Sequence, residues 1–209
     1  MKKLESTLPN MFLSLLSICI ASGLIVAGAN LYTSAPIARA KAAALEEALR
    51  KVTPAFDNNP LEEAYKAATP DGDSLLVYPA TKDGQPVGAA VESITKKGFS
   101  GEIKVIVGFD MEGKLVNYSV LQHAETPGLG AKMDAWFRTD KNKQSVIGRL
   151  LSKGNLSVSK DGGDVDAITA STITSRAFLD AINRAYGAYS KSYTDAQTGA
   201  SQQKGGTHE

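Results

Sequence analysis

This 209-residue chain is short of cysteine, histidine and net charge. Its one cysteine, Cys19, allows no internal disulfide. It also excludes thiolate-held zinc or iron–sulfur centres within the chain, which need several sulfurs at fixed spacing. With only His123 and His208, a histidine-rich metal centre is excluded too. A formal net charge of +1 argues against nucleic acid as a partner, because phosphate binding needs a basic excess or stripe. There is no internal repeat, no nicotinamide-binding glycine motif and no overall disorder composition. What remains is length enough for one sizeable core.

Charge is missing altogether between Ser6 and Ala38. Within that stretch, Met11 to Leu31 carries only Ser14, Ser17, Ser22 and Asn30 as polar side chains. About 20 helical residues cross a hydrocarbon core, so a transmembrane helix is expected over 10–33. Lys2 and Lys3 place a short N-terminus, 1–9, in the cytoplasm and the rest of the chain on the other side. Ala38-Arg39-Ala40 has the small-residue pattern of a signal-peptide cleavage site, but the apolar run exceeds a signal h-region of roughly 7–15 residues and favours an uncleaved anchor. Removing residues 1–38 leaves 21 basic and 21 acidic residues, so the remainder is formally neutral.

Residues 34–73 are expected to form a stalk and connector. Arg39 to Lys51 is a run of strong helix formers that stops before Pro54. Pro54, Pro60 and Pro70 then mark a linker with one short helix around Leu61 to Lys66. The folded domain is expected over 74–190. Ser74–Tyr78 and Pro86–Ile94 flank a Lys-Asp-Gly-Gln turn signal and read as strands. Ile103, Val105, Val107 and Phe109 alternate with polar residues, broken only by Ile106, and Val116, Tyr118 and Val120 continue the pattern after a Met-Glu-Gly turn. A sheet with one covered face follows. Met133 to Phe137 suggests a short helix and Leu156 to Ser159 a strand. Ile173, Ala177, Phe178, Ala181, Ile182, Ala185, Tyr186 and Tyr189 recur at helical spacing, so a final helix should lay an apolar stripe on the sheet. The stretch 191–209 is polar and expected to be a loose tail. The fold class expected is α+β: one N-terminal transmembrane helix, then an antiparallel sheet packed by helices.

Two segments carry residues suited to chemistry. In His123-Ala-Glu-Thr-Pro-Gly-Leu-Gly130, Pro127-Gly128 suits a type II turn, and Gly128 and Gly130 leave room for backbone to approach a flat ligand. The same loop also serves as a plain tight turn. His123 and Glu125 lack a third ligand nearby for a metal. In Asp166-Ala-Ile-Thr-Ala-Ser-Thr-Ile-Thr-Ser175, hydroxyl residues at a helix start accept hydrogen bonds from free amides. Those same amides and the helix dipole favour a phosphate there, so a hydroxyl in this segment suits esterification to one.

The order of Gly-Phe-Ser-Gly-Glu-Ile at 98–103, the 123–130 segment, Trp136 and the 166–175 segment resembles the FMN-binding domain family. Within it the chain is most similar to the G subunit of the Rnf electron-transport complex, and next to the C subunit of the sodium-pumping NADH:quinone oxidoreductase. The resemblance covers the anchor and residues 74–190. It implies that a flavin transferase attaches FMN through its phosphate to the last threonine of a motif Asp-x-x-(Ser/Thr)-Gly-Ala-(Thr/Ser). On this chain Asp166 matches the acid, Thr169 the first hydroxyl and Thr172 the acceptor. Ala170 stands where the family usually has Gly, and Ser171 where it has Ala, so Ser171 and Thr174 become rival acceptors.

The resemblance further implies that Glu125, Thr126, Gly128 and Leu129 lie near the isoalloxazine ring, with Thr169 and Ser171 beside the cofactor. No side chain need act as acid, base or nucleophile during electron transfer. The implied role is an electron carrier among other membrane subunits, moving electrons between ferredoxin and NAD and coupling this to sodium-ion or proton translocation. The implied location is the cell inner membrane, single-pass, with the main domain on the periplasmic side. A subunit-C-like part of a sodium-pumping NADH:quinone oxidoreductase, a stand-alone anchored flavoprotein and a flavin-free structural subunit are the alternatives.

Overall fold

In the computed structural model, residues 7–69 and 71–198 are described. The expected cytoplasmic lysines, Lys2 and Lys3, and the tail beyond Thr198 lie outside them. The chain divides into two compact units, one ending at Ala44 and one beginning at Leu45.

The first unit is helix α1, which runs Leu8–Val52 and so continues into the second unit. It contains an 18-residue window of mean hydropathy 2.2, none of it buried, and is long and apolar enough to cross a membrane. The hydroxyls of Ser14, Ser17 and Ser22 each donate to the carbonyl three residues earlier, at 2.9, 2.9 and 3.1 Å. Their polarity is thus absorbed by the helix itself, as an apolar surrounding requires. Pro36 sits inside α1, where the ring removes one backbone hydrogen bond.

The second unit is an antiparallel five-stranded meander in the order β1 (Tyr65–Ala68), β2 (Ser74–Lys82), β3 (Gln85–Thr95), β4 (Ile103–Asp110) and β5 (Leu115–His123). Asp83 and Gly84 join β2 to β3 with φ of 52° and 72°. Two consecutive positive values make the type I′ turn that suits the twist of a two-residue hairpin. Val77, Val91, Val107 and Tyr118 align across β2 to β5 and fix the core register. Helix α2 (Met133–Trp136) follows, and helix α3 (Thr172–Thr198) closes the fold.

α3 lays its apolar stripe on one sheet face. Phe178 stacks on Phe137 with centroids 4.6 Å apart and meets Tyr118 edge-on at 4.8 Å, while Tyr189 stacks on Phe109 at 5.1 Å. Aromatic pairs of this kind add about 0.5–1.5 kcal/mol beyond area burial. Burial pushes the Tyr118 hydroxyl well above the ordinary phenol range.

Four details differ from the expectations. The opposite face is also covered: Ala48, Leu49 and Val52 at the end of α1 form a second cluster with Tyr78, Ala90 and Ile106. That accounts for Ile106, whose apolar side chain breaks the alternation because both faces are buried there. Gly108 admits this contact, since a Cβ would run into the Val52 carbonyl, and Asn117 Nδ2 donates to Lys51 O at 3.0 Å. The stretch 61–66 holds no helix; a turn precedes β1, which pairs with β2, because backbone pairing outweighs weak local propensity in so short a segment. No strand spans Leu156 to Ser159. Val158 makes a single bridge to Val165, and the chain turns back through Ser159–Asp161 to Gly162, at φ 83°. Finally, α3 continues past Lys191 to Thr198.

Candidate functional site

The two segments singled out from sequence meet where the end of β5 faces the start of α3. Thr126 to Leu129 closes the expected turn, with Leu129 N donating to Thr126 O at 3.2 Å and Gly128 at φ 77°. That geometry is type II, with glycine at the position needing positive φ. The turn directs Glu125 inward. Its carboxylate, on a residue only 5% exposed, accepts from Ser100 N at 2.9 Å and from Thr174 Oγ1 at 2.6 Å. Glu125 thereby ties the 98–101 loop, the β5 end and α3 into one wall. The wall is tight. A Cβ at Gly130 would lie 2.6 Å from Glu125 Oε2 and 2.8 Å from Thr174 Oγ1, and one at Gly98 would lie 2.8 Å from Glu125 Oε1.

The second segment is held by Asp166. Its carboxylate accepts from Ser159 Oγ at 2.8 Å and Lys143 N at 3.2 Å, and these bonds hold it below the usual carboxylate range. Its carbonyl accepts from Trp136 Nε1 at 2.9 Å. Further on, Ile168 N donates to Ser175 Oγ at 2.9 Å, and that hydroxyl donates to Ser171 O at 2.9 Å, fixing the entry into α3. Between them Ala170 takes φ 59°, a left-handed conformation that costs a non-glycine residue about 1–2 kcal/mol.

A cavity of about 360 Å³ opens between the segments. Glu125, Thr126, Gly130 and Thr174 line it on one side, and Ala170, Ser171 and Thr172 on the other. Three large apolar side chains complete it while remaining exposed: Phe99 at 69%, Ile173 at 49% and Leu129 at 41%. The volume lies within the range of sites for small organic ligands. Such exposed apolar groups around a cavity with a polar wall suit a flat ring with polar edges.

Of the residues expected at a cofactor, Glu125, Thr126, Leu129, Ser171 and Thr172 line this cavity. Gly128 shapes the turn without lining it, and the exposed Thr169 lies outside its wall. Asp166 acts as a brace for the loops. The three hydroxyls at the helix start also differ. Thr174 is 1% exposed and bonded to Glu125, Ser171 is buried, and Thr172 is half-buried with Lys160 Nζ 3.4 Å from its Oγ1. Phe99 and Lys160 were not among the expected site residues. Phe99 lies in the 98–103 stretch that carries part of the family resemblance, which was the signal for it, whereas Lys160 lies in a turn whose path depends on the Val158–Val165 bridge.

Comparison with known proteins gives the family. Residues 98–187 match the FMN-binding domain family. The G subunit of the ion-translocating oxidoreductase complex of Vibrio cholerae serotype O1 (strain M66-2) is 35% identical over 175 residues, covering 80% of this chain and 82% of that protein. The chain belongs to this G-subunit family. The corresponding protein of Vibrio parahaemolyticus is 44% identical over 112 residues, and that of Shewanella oneidensis 39% over 123 residues. Those two matches span about half of each relative, 52% and 57% of its length. The matched 98–187 stretch begins at Gly98, next to Phe99 on the cavity, and reaches through most of α3.

Proposed function

We propose that this chain is an electron-carrying subunit of a membrane complex, with FMN esterified through its phosphate to Thr172. The observation that carries the reading is the contrast among hydroxyls at one cavity: Thr172 is only half-buried in its lining, beside a lysine, while Thr174 is sealed against Glu125. An enzyme can reach the first and not the second. In the attachment, the Thr172 oxygen bonds to the FMN phosphorus of a flavin dinucleotide donor, the hydroxyl proton passes to the transferase, and the donor's phosphoanhydride bond breaks so that a nucleoside monophosphate leaves with its electron pair.

When bound, FMN supplies one-electron and two-electron redox chemistry, and the protein supplies position and environment. Phe99, Leu129 and Ile173 would cover the ring faces and exclude water, Glu125 and Thr126 would offer polar atoms to its edge, and Thr172 would hold the phosphate end. The covalent bond keeps the cofactor from being lost outside the cytoplasm. α1 anchors the chain in the inner membrane with the second unit on the periplasmic side, among the other subunits of a complex that moves electrons between ferredoxin and NAD and drives sodium ions or protons across the membrane.

Expression of the full chain with a flavin transferase tests this directly. The expected result is in-gel flavin fluorescence under denaturing conditions and an FMN-minus-water mass addition on the 166–175 peptide. A colourless protein with an unmodified peptide overturns the covalent reading, and a label without co-purifying membrane subunits favours a stand-alone flavoprotein.

A further inference from the structure

We propose that Lys160 is the counter-cation of the phosphodiester on Thr172, a positioning residue that holds the anionic end of the flavin at the start of α3; this rests on the proposed attachment at Thr172. Lys160 sits in the Ser159–Asp161 turn, and its Nζ lies 3.4 Å from Thr172 Oγ1. Esterification at that oxygen puts a phosphorus one bond away and an ionised phosphoryl oxygen within reach of the ammonium.

The neighbouring acids are engaged elsewhere. Asp161 accepts from Arg176 through both oxygens, at 2.7 and 2.6 Å, and Asp166 accepts from Ser159 and the Lys143 amide. Among the described residues no carboxylate lies within ion-pair distance of Lys160. Its charge is therefore available to an incoming anion.

The turn is also fixed to the acceptor segment. Ser159 N donates to Val165 O at 2.8 Å, and Ser159 Oγ donates to Asp166 at 2.8 Å, so Asp166 braces the turn that carries Lys160 against the segment that carries Thr172. The leading acid of the attachment motif thus acts on the acceptor through the lysine's placement. Because Lys160 is exposed, the pairing is a modest one, in the range of solvent-facing charge pairs.

The test uses the full chain co-expressed with a flavin transferase, as wild type, Lys160→Gln, Lys160→Arg and the remote control Lys153→Gln. Two quantities are read: the labelled fraction of the 166–175 peptide early in induction, and the ³¹P resonance of the purified, labelled protein. Lys160→Gln is expected to lower the labelled fraction about two- to fivefold and to displace the ³¹P resonance, with Lys160→Arg restoring both. A ³¹P resonance in Lys160→Gln equal to that of Lys153→Gln overturns the proposal while leaving attachment at Thr172 intact. Wild type unlabelled on this peptide overturns the attachment itself.

Discussion

The two segments that face each other across the cavity are built from similar residues and behave differently. Residues 123–130 form a wall held from behind by one buried carboxylate: Glu125 is doubly bonded, Gly130 fits against it, Gly128 takes its positive φ without strain, and the rest of the segment is exposed. Residues 166–175 carry an open rim on a buried base: Ile168, Ser171, Thr174 and Ser175 are buried, Thr169 and Ala170 are exposed, Ala170 occupies a left-handed conformation with a side chain, and Thr172 is half-buried. A wall must keep its shape to receive a flat ligand, whereas an acceptor must be reachable by another enzyme. An acid, threonines and small residues serve at either side, depending on what lies behind them.

The largest expected effect separates the hydroxyls. Thr172→Ala should abolish the flavin mass on the 166–175 peptide. Thr174→Val should keep the label yet lower stability by about 1–3 kcal/mol, since it strips a bond from a buried carboxylate. Intact mass and denaturant melts read both, and a label that persists in Thr172→Ala moves the acceptor to a neighbouring hydroxyl of the same segment.

Next in size is Gly130→Ala, whose methyl has to displace Glu125 and Thr174. The expected loss is about 1–3 kcal/mol by denaturant midpoint. An unchanged midpoint would mean that the wall is softer than its contacts imply.

On the open rim the sign reverses. Ala170→Gly relieves the left-handed strain but frees the unfolded chain, for a net gain of about 0.5–1 kcal/mol. A thermal melt showing destabilisation would count against the strained rim.

The smallest effect is in acid. Asp161 and Asp166 are held below the ordinary aspartate value of 3.8, so their contribution is present above it and is lost as pH falls through the lower folded values. Unfolding midpoints should decline below pH 3.8, and Asp166→Asn should flatten that decline.

Much of this architecture was legible in the chain itself. The charge-free run, the alternation of Ile103 to Phe109, the Asp83-Gly84 hairpin and the stripe on α3 depend on local periodicity and turn chemistry, which neighbouring residues supply. The second covered face was not, because it needs the end of α1 to meet Ile106 and Gly108, residues far away in sequence. Strand β1 was hidden for a related reason: four residues carry too little pattern, and only the edge of β2 makes them a strand.

At the site the same division holds. Sequence order alone determined which two segments carry hydroxyls, glycines and acids, because motif spacing is a property of the chain. Tertiary structure decided what each does, since burial and partnership come from distant residues. It sealed Thr174 against Glu125, left Thr172 open beside Lys160, turned Asp166 into a brace and brought Phe99 to the rim.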